Sequence, residues 1–258
     1  MLNRTTFVRE TYDAIQKNLH CSVDEGDYER IKPKIENLKE LARIQNRAIA
    51  VYDLYRREFL LKIDTHISLL GYTNTEMIPV NNIAYYHEMV HTDDLPFLCD
   101  SEIRMYDYLR DIKDDSKKDY KLVYDYRVRA KDGSYIRFLH QLVIYEVDKA
   151  YHSWLLLIIS DVLSTSPANE SPRRFLINTR TQKVCLFNEE SGIKSSLITR
   201  REKEVLELIE AGFDSTGIAA RLFVSVNTIN NHRQHILEKT HTRNSSQAIA
   251  YLKCIGLL

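Results

Sequence analysis

The stretch from Leu197 to Leu258 limits the fold more than any other part of the chain, because its helix boundaries are written into its residues. Thr199 followed three residues later by Glu202 forms a capping box: the hydroxyl takes one orphan N–H and the carboxylate reaches back to another. Val205, Leu208 and Ile209 then give an apolar stripe at helical spacing, and Gly212 supplies the left-handed residue at which that helix stops. Asp214 caps a short helix over 215–222, with Ile218, Ala219 and Leu222 turned inward. Phe223 and Val224 form the turn. Ser225 caps a third helix, in which Ile229, His232 or Arg233, and Ile236 recur on one side; Asn244 caps a fourth through Ala248 and Leu252. Four short helices around one apolar centre follow.

The third helix leaves Asn227, Asn230, Asn231 and Gln234 outside, a polar and uncharged face. Asn and Gln present a donor beside an acceptor, which suits bidentate contact with adenine in the major groove. A helical dimerisation domain fits the same pattern less well, since the centre of a protein interface is depleted of polar groups. The stretch resembles the LuxR/GerE type of helix-turn-helix. The residues that carry the likeness are Leu197, Thr199, Arg201, Glu202, Val205, Leu206, Gly212, Ile218, Ala219, Leu222, Ser225, Thr228, Ile229, His232, Ile236 and Lys239. Asn230 stands where the family usually has Lys, Gly217 where it often has Glu, Thr240 for Leu and Ser245 for Arg. The resemblance implies a sequence-specific DNA-binding transcriptional regulator with double-stranded DNA as partner. Matched to the family's docking helix, Asn230, Asn231 and Gln234 are the base-reading candidates, and Asn227, Thr228, Arg233 and Lys239 the phosphate-holding ones.

Charge supports this only modestly. From Leu197 onward eight Lys and Arg face six Asp and Glu, so steering toward phosphate is weak and tight binding calls for a homodimer. The 258 residues have room for two domains. Cys21, Cys99, Cys185 and Cys254 lie far apart without C-x-x-C pairs, which suggests neither a zinc ribbon nor a disulfide framework and fits a reducing cytoplasm. The amino end shows no apolar signal segment, and the run Trp154 to Ile159 is far too short to span a bilayer; neither export nor a membrane anchor is expected.

Residues 1–47 read as a helical extension. Phe7 or Val8, Tyr12, Ile15 and Leu19 mark one amphipathic helix; Ile31, Ile35, Leu38 and Leu41 or Ala42 mark a second, with Pro33 tolerable only in a first turn. That second stripe faces its own domain's core or forms a dimer seam. Over 48–165 the period changes. Ile49–Tyr55 and Glu58–Ile63 predict a strand pair, Asp93 to about Ile112 a helix, and Tyr120–Val128, Tyr135–Glu146 and Trp154–Val162 three antiparallel strands, the first two joined at Asp132-Gly133. This region resembles a PAS domain, on His91-Thr92-Asp93-Asp94 (His-Pro-Asp-Asp in the family), the stretch Tyr126 to Tyr135, and the exit Ile159-Ser160-Asp161-Val162. The likeness implies a ligand- or partner-sensing fold around a small pocket, or a bare dimerisation interface. Because the last strand is apolar on both faces, its outer side must be covered by the amino-terminal helices or a second subunit. Residues 166–196 read as a linker with a hairpin, Phe175–Asn178 and Lys183–Phe187 flanking the turn; it either rides on the sensor or bridges the two domains.

One motif points to another class. His87-Glu88-Met89-Val90-His91 is a literal H-E-x-x-H, the pattern of a zinc metallopeptidase when it lies on a helix. Here Thr92-Asp93-Asp94 reads as a helix start, which places His91 ahead of a helix and counts against the reading. His66, His140 and His152 are expected as surface or hydrogen-bonded residues rather than haem ligands, and no P-loop, dinucleotide or flavin signature is present. The expectation is therefore an α+β chain, not an enzyme and with no cofactor: a PAS-like antiparallel sheet domain preceded by helices, then a four-helix LuxR-type domain over 197–258.

Overall fold

The computed structural model describes residues 8, 10–13, 15, 20–73, 87–163, 171–185 and 197–258. The chain divides into two compact units, the first reaching Arg180 and the second holding the described residues from Thr181 onward.

Helix α1 (Glu25–Gln45) opens on a capping box between Asp24 and Asp27 and closes at Asn46 in the left-handed region. Pro33 lies inside it, not in a first turn as expected. A proline there removes one backbone hydrogen bond and costs about 3 kcal/mol. The helix persists because both ends are capped and Ile31 and Ile35 are buried against Val51, Trp154 and Leu155. Tyr28 adds an edge contact to Trp154 and donates a hydrogen bond to Asp53 Oδ2 at 2.7 Å.

Strands β1 (Ala48–Asp53) and β2 (Glu58–Ile63) pair antiparallel. β1 ends at Asp53 rather than Tyr55, since the buried Asp53 carboxylate accepts the N–H groups of Tyr55 and Arg56 and folds the turn. Helix α2 (Leu95–Arg110) follows, with Pro96 in its first turn. Three long strands come next, β3 (Tyr120–Arg129), β4 (Tyr135–Val147) and β5 (Ser153–Val162). Between β3 and β4 the chain turns at Gly133, whose φ of +86° a side chain would resist. β6 (Arg174–Asn178) then pairs with β3, so the first arm of the expected hairpin rides on the sensor sheet; its second arm is the two-residue strand β7 (Val184–Cys185).

The order within the first unit is β2-β1-β5-β4-β3-β6, with antiparallel neighbours throughout. Seating β5 between the first hairpin and β4 makes the fold PAS-like. β5 is apolar on both faces for a visible reason: Leu155 and Leu157 lie under α1, whereas Leu156 and Ile158 line an inner cavity. The outer face is thus covered by an amino-terminal helix. Glu146 on β4 fastens that helix, taking ion pairs from Lys34 and from Arg30 (3.7 Å), and one from Lys118 (3.3 Å) beside it.

From Leu197 onward the described residues form four helices, α3 (Arg200–Glu210), α4 (Ser215–Leu222), α5 (Val226–Thr240) and α6 (Ser245–Ile255). Thr199, Asp214, Ser225 and Asn244 cap them as expected. Leu206 rather than Leu208 is the buried partner of Val205 on α3, with Ile218, Ile229, Ile236, Ala248 and Leu252 completing the core. Thr240, at a position where leucine is usual, is also fully buried and turns its hydroxyl onto Ile236 O at 2.7 Å.

Candidate nucleic-acid interface

Helix α5 is presented by its turn. Phe223 closes α4 with φ of +54°, and Val224 N–H returns to Ala219 O. Arg201 ties α3 to the same corner, donating to Leu222 O at 2.7 Å while its other nitrogen holds Glu204 at 2.8 Å. Ser225 then accepts Thr228 N–H, and the two hydroxyls lie 2.8 Å apart. With Ile229 and Ile236 sunk in the core, the opposite side of α5 faces outward.

On that side stand Asn227, Asn230, Asn231 and Gln234, all exposed. Gln234 Nε2 donates to Glu238 Oε1 at 2.9 Å, one turn on. Thr228 and Arg233 are half-buried at the edges, and Arg233 Nη1 donates to Ser215 Oγ at 3.0 Å. Lys239 is paired elsewhere, with α3. Its ammonium donates to both oxygens of Glu202, at 2.8 and 2.7 Å, and the Glu202 side chain is only 3% exposed. Burial pushes the Glu202 carboxyl up, but Lys239 and the Thr199 N–H outweigh it and hold the group below the ordinary range. Lys239 thus bolts α5 to the capping box of α3. Phe223 is 94% exposed beside the docking face, a residue the sequence placed only in the turn.

The first unit holds a second candidate site, an apolar cavity of about 110 Å³ between α2 and the sheet. Its polar groups meet in one network. Glu102, on α2, accepts from the Tyr12 hydroxyl at 2.6 Å and from Tyr124 at 2.7 Å; Tyr12 also lies 3.0 Å from His87 Nε2. Nearby, His140 Nδ1 meets Tyr126 at 2.9 Å and Ser160 at 3.1 Å. Burial raises the Glu102 carboxyl and pushes His140 down to about 3, so that imidazole stays neutral. The sequence placed Tyr12 on the apolar stripe of an amino-terminal helix, His87 in the H-E-x-x-H motif and His140 as a surface or hydrogen-bonded residue, and brought none of them to a shared cavity. Glu102 carried a signal: it falls on the same helical stripe as Leu95, Leu98, Tyr106 and Leu109, where an acid is out of place.

The two histidines of H-E-x-x-H go to different surroundings. His87 turns toward Tyr12, while His91 follows the isolated bridge residue Val90, stacks edgewise on Tyr135 and accepts Asp93 N–H at Nδ1. Among the described residues no group of three His, Cys, Asp or Glu is placed to hold a metal ion, and no helix is long and apolar enough to cross a membrane.

Residues 196–252 match the model of a family described as bacterial regulatory proteins, luxR family. Residues 197–252 form a LuxR-type helix-turn-helix domain. The LuxR-type match extends to the oxygen regulatory protein NreC of Staphylococcus epidermidis, 33% identical over 89 residues. Those residues are 34% of this chain and 37% of NreC, so the chain spans little more than a third of that relative. Among solved structures, the transcription factor GerE is 33% identical, with 24% of this chain and 94% of that chain covered and a TM-score of 0.24. VqmA of Vibrio cholerae is 14% identical over 85% of this chain and 88% of its own, with a TM-score of 0.33.

Proposed function

We propose that the chain is a one-component transcriptional regulator, in which residues 197–258 read a DNA sequence and the PAS-like domain over 48–165 controls that binding through a ligand in its cavity. The observation that carries the DNA reading is the row of exposed amides on α5, held rigid by buried Ile229 and Ile236. A helix with such a face suits the major groove, where bidentate amides distinguish adenine. Asn230, Asn231 and Gln234 serve as base readers, with Asn227, Thr228 and Arg233 toward phosphate. Lys239 acts through Glu202 as a positioning residue. The protein works as a homodimer, because a domain of such small net charge gains affinity chiefly from two linked half-sites.

The alternative, a PAS-like domain that serves only as an interface, calls for a filled interior; the cavity favours sensing. The test is selection of bound fragments from random DNA by the full chain. Recovery of one motif supports the reading, and fragments without common sequence overturn it. Control by the cavity is read separately. Leu142→Phe, which fills it from β4, is expected to change affinity for the selected DNA at least threefold, and unchanged affinity in a folded variant overturns control.

A further inference from the structure

The cavity of the first unit contains a contradiction that a ligand resolves. Its wall is apolar and aromatic: Tyr12, Tyr52, Tyr106, Tyr124 and Tyr126 surround one space, and Glu102 enters it only 8% exposed. A buried carboxylate is ordinarily met by a cation, since an isolated charge in such surroundings is very costly. Among the described residues, the side chains hydrogen-bonded to Glu102 are two tyrosines, and no Lys or Arg pairs with it. Lys62 also reaches the wall, but Asp64 beside it offsets its charge. His87, His66 and His140 line the same space, and burial disfavours the charged form of His66 and His140. Cys99, close enough to feel Glu102, is pushed up to about 12 by burial and by that carboxyl, and stays a neutral thiol. Among the described residues, one buried carboxyl thus lies among several tyrosine rings with no Lys or Arg hydrogen-bonded to it.

We propose that the cavity takes a small organic cation, a protonated primary or secondary amine on one ring or a short branched chain, with Glu102 as its counter-ion. This rests on the reading of the cavity as a ligand site. Three features select that class. Tyr12 and Tyr124 point their hydroxyls at one oxygen each of Glu102 and so hold the carboxylate as an acceptor; each oxygen retains capacity for a second hydrogen bond. Tyrosine rings carry negative faces that attract a cation, a chemistry that recognises ammonium groups. The volume, about 110 Å³, limits the body of the ligand, given that an engineered apolar cavity of ~150 Å³ admits benzene. An acidic ligand is disfavoured by Glu102 itself. Because Tyr12 comes from the amino-terminal segment and Tyr124 from β3, a cation on Glu102 acts on groups that hold that segment to the sheet.

Burial raises the Glu102 carboxyl above its ordinary value, against the two tyrosine hydrogen bonds that lower it. An ammonium ion on Glu102 would favour the charged form of the group. The experiment is calorimetric titration of the full chain at pH 7 with benzylamine and isobutylamine, and with benzyl alcohol and isobutanol as uncharged counterparts. The amines are expected to bind at least tenfold more tightly than the alcohols. Glu102→Gln, which keeps the shape, is expected to abolish the amine preference. Alcohols that bind as well as amines, an amine preference that survives in Glu102→Gln, or binding of neither series overturns the cation. Should Glu102→Gln fail to fold, the wild-type amine-to-alcohol ratio decides. The Leu142→Phe measurement on DNA tells whether control by the cavity falls too: altered DNA affinity keeps that reading while the ligand class is lost.

Discussion

Asn231 and Lys239 stand two turns apart on one helix and have different work. Asn231 is open to solvent, so Asn231→Ala should leave the fold intact and, on the proposed reading, remove a bidentate contact. It should lose about 1–3 kcal/mol of discrimination at the base pair it reads, measured by competing selected DNA against single-base variants. Lys239 has its ammonium on Glu202, which is nearly inaccessible. Lys239→Ala should therefore lower the stability of the second unit by about 1–3 kcal/mol in urea denaturation, because a buried acceptor loses its partner. A variant with unchanged stability but weaker binding to all DNA would return Lys239 to phosphate contact. The pH dependence has a definite sign. The Glu202 carboxyl lies lower in the folded state than in the unfolded one, held there by Lys239 and Thr199 against the opposing effect of burial. Its stabilisation is full above the unfolded value, about 4.3, and is lost as pH falls through the folded value. Glu202→Gln should flatten that acid limb, and an unchanged acid transition would show that other carboxylates set it.

At the scale of elements, α1 is the part most at odds with its own sequence. Pro33 interrupts a helix of 21 residues, and capping at Asp24 and Asn46 together with burial of Ile31 and Ile35 outweighs the interruption. Pro33→Ala should restore the missing hydrogen bond. The first unit should gain roughly 1–3 kcal/mol, less than the full helix-interior penalty because alanine also gives the unfolded chain more freedom. In a domain of this size that is a rise of about 2–4 °C in Tm per kcal/mol, and a fall in Tm would show a kink that the packing against Trp154 requires. Elements of this kind were legible wherever one or two adjacent residues decide them. Thr199, Asp214, Ser225 and Asn244 each cap through their own side chain onto an N–H three residues on, a geometry that spacing states directly. The amide face of α5 was legible for the same reason, being one side of one helix. The cavity was not. Tyr12, His87, Glu102 and Tyr124 meet from segments up to 112 residues apart, and only the fold brings them together. The Lys239 contact was hidden similarly: its partner lies 37 residues away on α3, while its position alone suggested phosphate.

For the molecule as a whole, the charge of the second unit sets what a binding site must look like. With eight basic against six acidic residues from Leu197 onward, and Arg200, Arg201, Lys239 and Lys253 paired with Glu204, Glu202 and Glu210, only part of the basic set is left for phosphates. Each phosphate neutralised contributes about −0.9 to the slope of log K against log salt concentration, so a single domain should show a shallow slope and weak binding. Two domains in a dimer double the contacts, and the second docks at the high local concentration set by the first. Helix-turn-helix dimers meet successive major grooves on one side of the duplex, so the selected DNA should contain two inverted half-sites with centres roughly 10 bp, or a multiple of that, apart. Inserting about 5 bp between them turns one half-site to the far side of the helix. Affinity of the full chain should then fall to that for a single half-site, whereas inserting a full turn should restore much of it. Equal affinity at every spacing would mean that one copy binds alone, and that the exposed amides of α5 suffice without a partner.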